Sequence, residues 1–198
     1  MERSETLQKI ETSALAFRIF AGNYRRKVED VEMPQENHMH WHIRSTLQPG
    51  DIGYITYLHG TLYAKEYGWD HTFEGYVAKS LAEFASSFDA REDCLWIAES
   101  DGQIVGSIGI VGESSSKAQL RWFLVHPTMR GCGLGRDLLD RALQFCRDRD
   151  LKSVFLWTVS DLKVAAHMYE STGFRKSEQK THKIWGKTIT EERYDLSL

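Results

Sequence analysis

Residues 120–136 place three glycines at alternating positions between an apolar run and an amphipathic segment, and this feature constrains the fold most. The apolar run ends at Pro127, and the centre, residues 130–136, reads RGCGLGR. Leucine, alanine and cysteine then recur at helical spacing as far as Cys146. Alternating glycines let successive backbone N–H groups turn inward, and the helix N-terminus behind them adds positive partial charge. The segment therefore predicts a strand, a phosphate-binding loop and a helix.

Spacing distinguishes three kinds of phosphate-binding loop. The loop of nucleoside triphosphatases ends in Gly-Lys-Ser/Thr, whereas Leu134-Gly135-Arg136 stands here. A dinucleotide fingerprint needs G-x-G-x-x-G early in a βαβ unit, with an acidic residue about 20 positions later, and this also fails. The pattern Arg-Gly-x-Gly-x-Gly, after a strand that ends in Val-His-Pro, resembles the acetyl-coenzyme A diphosphate loop of the GNAT superfamily of N-acetyltransferases. A plain tight turn between strand and helix is the alternative.

A second motif lies at the appropriate distance from the loop. Residues 165–174 read AAHMYESTGF, which resembles the A-x-x-x-Y-x-x-x-G-F ending of GNAT domains, and the resemblance extends over roughly residues 43–198. It implies an α/β fold of the α+β type, with a mixed, mostly antiparallel central sheet flanked by helices. We expect the acetyltransferase domain to occupy residues 38–198, after a helical extension and linker in residues 1–37.

Charge and composition limit the partners of this chain. Its 198 residues include 25 basic and 28 acidic side chains, which give a formal net charge of −3. This balance excludes a general attraction to nucleic acid or to acidic membranes. No signal segment opens the chain, and no stretch reaches the ~18 apolar residues of a spanning helix. The three scattered cysteines, Cys94, Cys132 and Cys146, suit a reducing compartment. We therefore expect a cytoplasmic protein without a nucleic-acid or membrane partner.

Residues 4–31 place apolar side chains at alternating steps of three and four, which is a helical stripe of heptad type. This helix could lie against the domain or pair with a second copy in a homodimer, and both interpretations stay open. After the linker, His38, His40 and His42 alternate and would share one face of a strand. Zinc sites usually add thiolate or carboxylate ligands at defined spacings, and none accompany these histidines. We expect no metal.

Periodicity and turn residues predict the elements that follow. Asp51 is the candidate N-cap of the first helix, and Asp101-Gly102 is typical of a two-residue hairpin turn. The predicted strands are residues 43–47, 94–99, 104–111, 118–125, 154–157 and 188–198. The predicted helices are residues 51–68, 72–88, 134–146 and 163–172.

In the family that the chain resembles, the two helices after the first strand wall the acceptor site. The segment that connects them here holds Tyr63, Glu66, Tyr67, Trp69 and Asp70. Aromatic rings mixed with carboxylates suit a cationic amine. Core packing accounts for the rings equally well.

The resemblance implies direct transfer of the acetyl group from acetyl-CoA, a co-substrate, to a primary amine of a small molecule or a protein. Backbone groups of Phe123 and Val125 would bind the pantetheine arm. The diphosphate would bind the loop residues Arg130, Gly131, Cys132, Gly133, Leu134, Gly135 and Arg136. Leu162 stands where many members carry an asparagine that holds the pantetheine or acetyl region. The alternative function is a catalytically silent module of this fold that binds a coenzyme A thioester and regulates a partner protein.

Direct attack needs a proton acceptor at the amine and a proton donor at the departing thiolate. Tyr169 falls where many family members carry a tyrosine that protonates the coenzyme A thiolate, and an ordinary phenol is protonated at neutral pH. Packing of its ring beneath the cofactor is the other explanation. Glu66 is the candidate base, and Glu99 and His126 are further candidates because carboxylates and imidazoles accept protons. A water chain that leads to a carboxylate would also serve.

Overall fold

The computed structural model describes residues 40–198, so the N-terminal helix predicted for residues 4–31 and the linker lie outside the described residues. The strands are β1 (His42–Arg44), β2 (Cys94–Ser100), β3 (Gln103–Ser114), β4 (Lys117–Val125), β5 (Ser153–Val159), β6 (Arg175–Ile184) and β7 (Lys187–Ser197). The helices are α1 (Asp51–Tyr67), α2 (His71–Ser87), α3 (Leu134–Asp148) and α4 (Lys163–Ser171), with a 3₁₀ turn at Pro127–Met129. All four helices predicted for this part of the chain are present.

The strands of this part of the chain form one sheet in the order β1-β2-β3-β4-β5-β7-β6. β4 and β5 are parallel, and every other neighbouring pair is antiparallel. Alternate residues of β2 belong to different cores. Leu95 and Ile97 pack with α1 and α2, whereas Trp96 and Ala98 pack with α3 and α4. Helices therefore cover both faces, and the predicted mixed, mostly antiparallel fold is confirmed.

Local sequence signals explain the elements that position the site. The apolar stripe of α3, from Leu134 to Cys146, is buried with at most 2% exposure. α2 begins after Asp70, whose carboxylate accepts a hydrogen bond from the Thr72 amide at 3.0 Å. In the turn between β2 and β3, Asp101 and Gly102 have φ values of 51° and 74°. Two consecutive positive φ angles are what a two-residue hairpin turn of type I′ needs.

Two predictions near the start of the domain are wrong. The first strand ends at Arg44 rather than at residue 47. Asp51 is the first residue of α1 and not its cap, which is Gly50. The Asp51 carboxylate instead accepts hydrogen bonds from the Arg44 guanidinium at 2.7 and 2.8 Å and from the Gln48 amide at 2.6 Å. Arg44 is largely buried, and a buried cation needs carboxylate partners, which local sequence does not reveal.

Strand β6 has no counterpart among the predicted elements. Nine of its ten residues are exposed, and Ile184 at its end is half-buried. The strand therefore carries no apolar alternation. It lies at the edge of the sheet and pairs only with β7, and edge strands tolerate polar and charged side chains.

Candidate active site

A cavity of about 430 Å³ opens where β4 and β5 separate. The parallel pairing of these strands ends at Leu120 and Leu156. β5 continues to Val159 beside β7, whereas residues 121–125 of β4 pair with β3 alone. The cavity extends to the glycine loop and α4 on one side and to α1, α2 and the β6–β7 hairpin on the other. A molecule in the cavity therefore meets a strand edge that pairs with no other strand of residues 40–198.

A β-bulge at Trp122 sets which residues of β4 face each side of the sheet. Trp122 has a φ of 47°, and the pairing with β3 shifts beside Gly109. The Trp122 ring turns to the α1–α2 face, where its indole N–H donates to Ser80 at 3.0 Å. Phe123 and Val125 then pack toward the core of α3 and α4. A Cβ on Gly109 would lie 2.6 Å from the Trp122 ring, so only glycine leaves room for this bulge.

The glycine loop presents a row of backbone N–H groups to open space. Gly131 and Gly133 have φ values of 80° and 100°, which residues with side chains rarely adopt. Among residues 40–198, no protein acceptor receives a hydrogen bond from the amides of residues 131–136. A Cβ on either glycine would have no atom within 4 Å. Free amides at the start of a helix favour a bound anion, and their binding of a diphosphate stays a prediction.

Arg130, at the head of the loop, is paired with Glu66 of α1. Its guanidinium donates to the two carboxylate oxygens at 2.9 and 3.1 Å, and its Nε donates to the Val125 carbonyl at 3.1 Å. Arg136 pairs with Asp140 of α3 at 3.2 Å. Both arginines that were predicted to flank a diphosphate thus already hold a carboxylate. Their contact with a diphosphate stays a prediction.

Tyr169 of α4 places a phenol on the cavity wall. The residue is 5% exposed, and its ring lies 5.8–6.2 Å from the rings of Phe123, Phe174 and Tyr194. Within the described part of the chain its hydroxyl makes no hydrogen bond, and the residue lines the cavity. Burial, with a smaller effect from Tyr63, raises the pKa of Tyr169. The phenol therefore keeps its proton at neutral pH and can donate it to a ligand.

The structure distinguishes the three candidates for the general base by whether they line the cavity. Glu66 lines the cavity, whereas Glu99 and His126 do not. The Glu99 carboxylate accepts hydrogen bonds from Arg44 at 2.7 and 2.9 Å. The His126 ring contacts the Thr128 hydroxyl at 2.8 Å. Glu66 is thus the candidate that a bound substrate could reach.

The other residues expected at the coenzyme A arm are near one another. Phe123, Val125 and Leu162 all line the cavity, and Leu162 also packs against the α1–α2 core. The Cys132 thiol donates to the Met129 carbonyl at 3.0 Å and leaves the loop backbone uncovered. Their binding of a pantetheine arm stays a prediction.

An aromatic cluster, which was not predicted as a unit, forms the wall of the cavity on the side of α1, α2 and the β6–β7 hairpin. The rings of Trp69, Phe73 and Trp185 have centroids 4.5–4.8 Å apart, and Tyr63 lies 4.8–4.9 Å from the first two. The Asp70 amide donates to the Trp185 carbonyl at 3.1 Å. The β6–β7 hairpin therefore closes over the connection between α1 and α2. Trp185 was missed with β6, although a Trp-Gly pair before the last strand is a turn signal.

His59 of α1 is a second residue that was not predicted. It is 4% exposed, lines the cavity and stacks on Tyr63 at 5.9 Å and 7°. Its Nδ1 lies 2.9 Å from the Ile55 carbonyl, and because a carbonyl only accepts, Nδ1 carries the proton. Burial lowers the pKa of His59 to about 4, although the bond to Ile55 opposes this. The ring is therefore neutral, and its Nε2 is an acceptor. The available signal was a histidine within the apolar stripe of α1.

Three further observations concern residues 40–198 only. No three His, Cys, Asp or Glu side chains come together there as metal ligands. No helix in this range has the length and apolar character to cross a bilayer. His40 and His42 are both exposed.

A mixed sheet that splits beside a helix N-terminus with free amides, and a cavity that runs from that point to an aromatic wall, agree with the coenzyme A-dependent acyltransferase fold that the sequence resembles. Residues 60–174 match the family model described as the acetyltransferase (GNAT) family. This match covers more than half of the chain, and the chain belongs to that family.

Curated relatives are N-acetyltransferases. The chain is 27% identical over 154 residues to the protein named "Probable N-acetyltransferase camello" of Xenopus tropicalis, with 72% of this chain and 70% of that protein covered. It is 35% identical over 115 residues to N-acetyltransferase 8 of Rattus norvegicus, with 53% and 52% covered. It is 26% identical over 127 residues to human N-acetyltransferase 8, with 61% and 56% covered. The chain thus spans about half the length of N-acetyltransferase 8.

Solved structures share the fold. An acetyltransferase from Streptococcus agalactiae has a TM-score of 0.67 at 22% identity, with 80% of this chain and 98% of that chain covered. The acetyltransferase yncA from Salmonella typhimurium, solved with its cofactor acetyl-CoA, has a TM-score of 0.64 at 18% identity, with 79% and 93% covered. Spermidine N-acetyltransferase from Vibrio cholerae, in complex with CoA and spermine, has a TM-score of 0.61 at 18% identity, with 79% and 95% covered. At these identities the likeness concerns the fold alone.

Proposed function

We propose that this protein transfers the acetyl group of acetyl-CoA to a primary amine bound in the cavity. The observation that carries the proposal is the row of amides at residues 131–136, which face open space at the N-terminus of α3 beside the cavity. Six successive N–H groups together with a helix N-terminus favour a bound diphosphate. Relatives of the same fold solved with CoA or acetyl-CoA support this assignment.

The free edge of β4 would hold the rest of the co-substrate. Beyond Leu120 this edge has no partner on the β5 side, so peptide groups near Phe123 and Val125 can bond to the amides of a pantetheine arm. The arm would then run from the glycine loop into the opening between the strands. When bound, acetyl-CoA supplies an activated acyl group and a thiolate leaving group.

We assign Glu66 as the general base that accepts a proton from the attacking amine. Arg130 uses one lone pair of each Glu66 oxygen, and a carboxylate offers about four lone-pair sites. Each oxygen therefore keeps a lone pair for an amine N–H. As the new N–C bond forms, the amine loses a proton, and Glu66 would accept it.

We assign Tyr169 as the hydrogen-bond donor to the departing thiolate of coenzyme A. Tyr169 lines the same cavity, and its hydroxyl would donate to the sulfur as the C–S bond breaks. The raised pKa keeps the donor protonated but also opposes complete transfer of the proton. The hydrogen bond to the developing thiolate is therefore its main contribution, and the thiol takes its final proton from solvent or from Tyr169.

The experiment that tests the proposal uses the full chain with acetyl-CoA and a panel of primary amines. The panel should span aliphatic, aromatic, amino-acid and peptide lysine amines. We expect thiol release that depends on the amine, with one acetylated amine formed per thiol, measured by mass spectrometry. Binding of acetyl-CoA by calorimetry without turnover of any amine would contradict the proposal and favour the silent module.

A further inference from the structure

The acceptor side of the cavity is aromatic and carries no excess of negative charge. Among residues 40–198, three carboxylates and three cations line the cavity, namely Glu66, Asp161, Glu191, Arg121, Arg130 and Lys163. A polyamine carries several ammonium charges and needs several unpaired carboxylates around it. Here Glu66 already pairs with Arg130, and Glu191 lies 2.7 Å from His182. The rings of Tyr63, Trp69, Phe73 and Trp185 instead offer flat apolar surface.

One nitrogen of a largely buried side chain keeps accessible surface at the wall of this cavity. His59 is 4% exposed, its Nδ1–H is taken by the Ile55 carbonyl, and within residues 40–198 its Nε2 has no hydrogen-bond partner. An accessible acceptor can bond to water in the empty cavity, and a ligand that displaces this water must supply a donor in its place. A role as general base fits poorly, because a pKa of about 4 lies far below the operating pH.

The spacing along α1 relates His59 to the reacting end of the site. His59, Tyr63 and Glu66 stand at positions i, i+4 and i+7, which share one helix face. Seven residues of helix correspond to about 10 Å along its axis. Tyr63 lies between the other two and stacks under His59. A benzene ring with a two-carbon amine arm spans a distance of this order, with its ring beside Tyr63.

We infer that the acceptor is an arylalkylamine whose ring bears a hydrogen-bond donor, with the amine at Glu66, the ring on the aromatic wall and the donor on His59 Nε2. The inference rests on the proposed function and names the acceptor class of the same cavity. The donor on the ring pairs with His59 Nε2 at the cavity wall, and the ring covers aromatic surface that a linear polyamine would leave in contact with water.

The first test compares amines on the unmodified protein. Tyramine carries a ring hydroxyl, phenethylamine lacks it, and O-methyltyramine keeps the oxygen but cannot donate. Leaving a buried acceptor unpaired reduces affinity by roughly 5- to 100-fold, so kcat/KM should favour tyramine over both analogues by about that factor. Spermidine should be a poorer acceptor than any of the three. Equal kcat/KM for tyramine and O-methyltyramine, or a preference for spermidine, would overturn the inference.

The second test uses His59→Phe, which keeps an aromatic ring and removes the acceptor. The preference for tyramine over phenethylamine should fall to about one. If His59 had only a structural role, His59→Phe would lower kcat/KM for tyramine and for phenethylamine by the same factor. An unchanged ratio of the two would therefore contradict the inference. If the variant does not fold, the comparison with O-methyltyramine decides alone.

A binding measurement separates this inference from the proposed function. The shift in Tm on adding each amine, in the presence of CoA, does not depend on turnover. A larger shift with tyramine than with phenethylamine is expected, and equal shifts would contradict the inference. Turnover of many amines without a ring-donor preference would refute the acceptor class and leave the acetyltransferase intact. An absence of all turnover would refute the proposed function.

Discussion

Arg130 holds both carboxylate oxygens of Glu66, at 2.9 and 3.1 Å, and so ties the glycine loop to helix α1. The same guanidinium donates to the Val125 carbonyl at 3.1 Å, at the end of β4. One side chain thus connects the proposed coenzyme A side of the cavity with the acceptor side. The Arg130 side chain is 49% exposed, so the pair contributes more to the geometry of the site than to the stability of the fold.

The first prediction concerns Glu66 as the base. Glu66→Gln keeps the shape of the side chain but cannot take a proton, so kcat should fall by about 10²–10⁴-fold. KM for acetyl-CoA should stay near the parent value. Glu99→Gln is the control, because Glu99 also pairs with an arginine but lies outside the cavity. It should lower the melting temperature and keep kcat. An unchanged kcat in Glu66→Gln would show that Glu66 is only a link to Arg130.

The second prediction concerns Tyr169 as the donor to sulfur. Tyr169→Phe removes the hydroxyl and keeps the ring contacts, so kcat should fall by about 10²–10⁴-fold with little change in KM for acetyl-CoA. Tyr194→Phe is the matched control in the same core, and its hydroxyl bonds to Glu192 at 3.2 Å. Because the pKa of Tyr169 is raised, kcat should show no loss from its ionisation as the pH approaches 10. If both variants keep the parent kcat, Tyr169 serves packing alone.

The third prediction concerns the loop backbone. Gly133 and Gly50 both precede a helix with a φ of 100°, and a Cβ on either one would have no atom within 4 Å. Replacement of either glycine by valine should strain the backbone and lower the free energy of unfolding by about 1–2 kcal/mol. Only Gly133→Val should lose affinity for CoA in calorimetry, because its backbone amide belongs to the anion-binding row. Equal CoA affinity in the two variants would rule out the diphosphate assignment.

The fourth prediction is a pH dependence of stability that originates at His59. Burial lowers its pKa from 6.5 to about 4, so between these values the unfolded chain binds a proton that the folded chain does not. The free energy of unfolding should therefore rise with pH across this window, and up to about 3 kcal/mol should be lost on acidification. Urea unfolding at several pH values measures this change in the free energy of unfolding. His59→Leu should flatten the dependence, and His71→Leu, at an exposed histidine, should retain it. If the stability of both variants depended on pH in the same way, the pH dependence would not originate at His59.

The fifth prediction concerns the bulge that shapes β4. Gly109→Ala would place a methyl group 2.6 Å from the Trp122 ring, and overpacking of this kind costs about 1–3 kcal/mol. Gly75→Ala is the control, because no atom lies within 4 Å of the added methyl group and the residue is inside α2. That change should stabilise the protein by about 0.5–1 kcal/mol. Thermal unfolding of both variants measures the difference, and a stabilised Gly109→Ala would show that the bulge can shift.

Much of the fold follows from signals within short segments. The stripe from Leu134 to Cys146 predicted α3, and Asp101-Gly102 predicted the hairpin, because burial on one helix face and positive φ angles leave local traces. The polar strand β6 left no such trace, because an edge strand needs only backbone pairing. Trp185, in the turn after β6, was missed because the β6–β7 hairpin was not predicted.

The sequence by itself determined the glycine loop, the tyrosine motif and hence the family, because spacing within a loop or a helix carries that information without the rest of the chain. The tertiary structure decided which residues meet on the proposed acceptor side of the cavity. Arg130 and Glu66 are 64 residues apart in sequence, and the Lys187 ammonium donates to the Tyr67 carbonyl across 120 residues. The burial that lowers the pKa of His59 also arises only when α1 packs on the sheet. Such pairs depend on how the elements pack, and no pattern within a single segment encodes that packing.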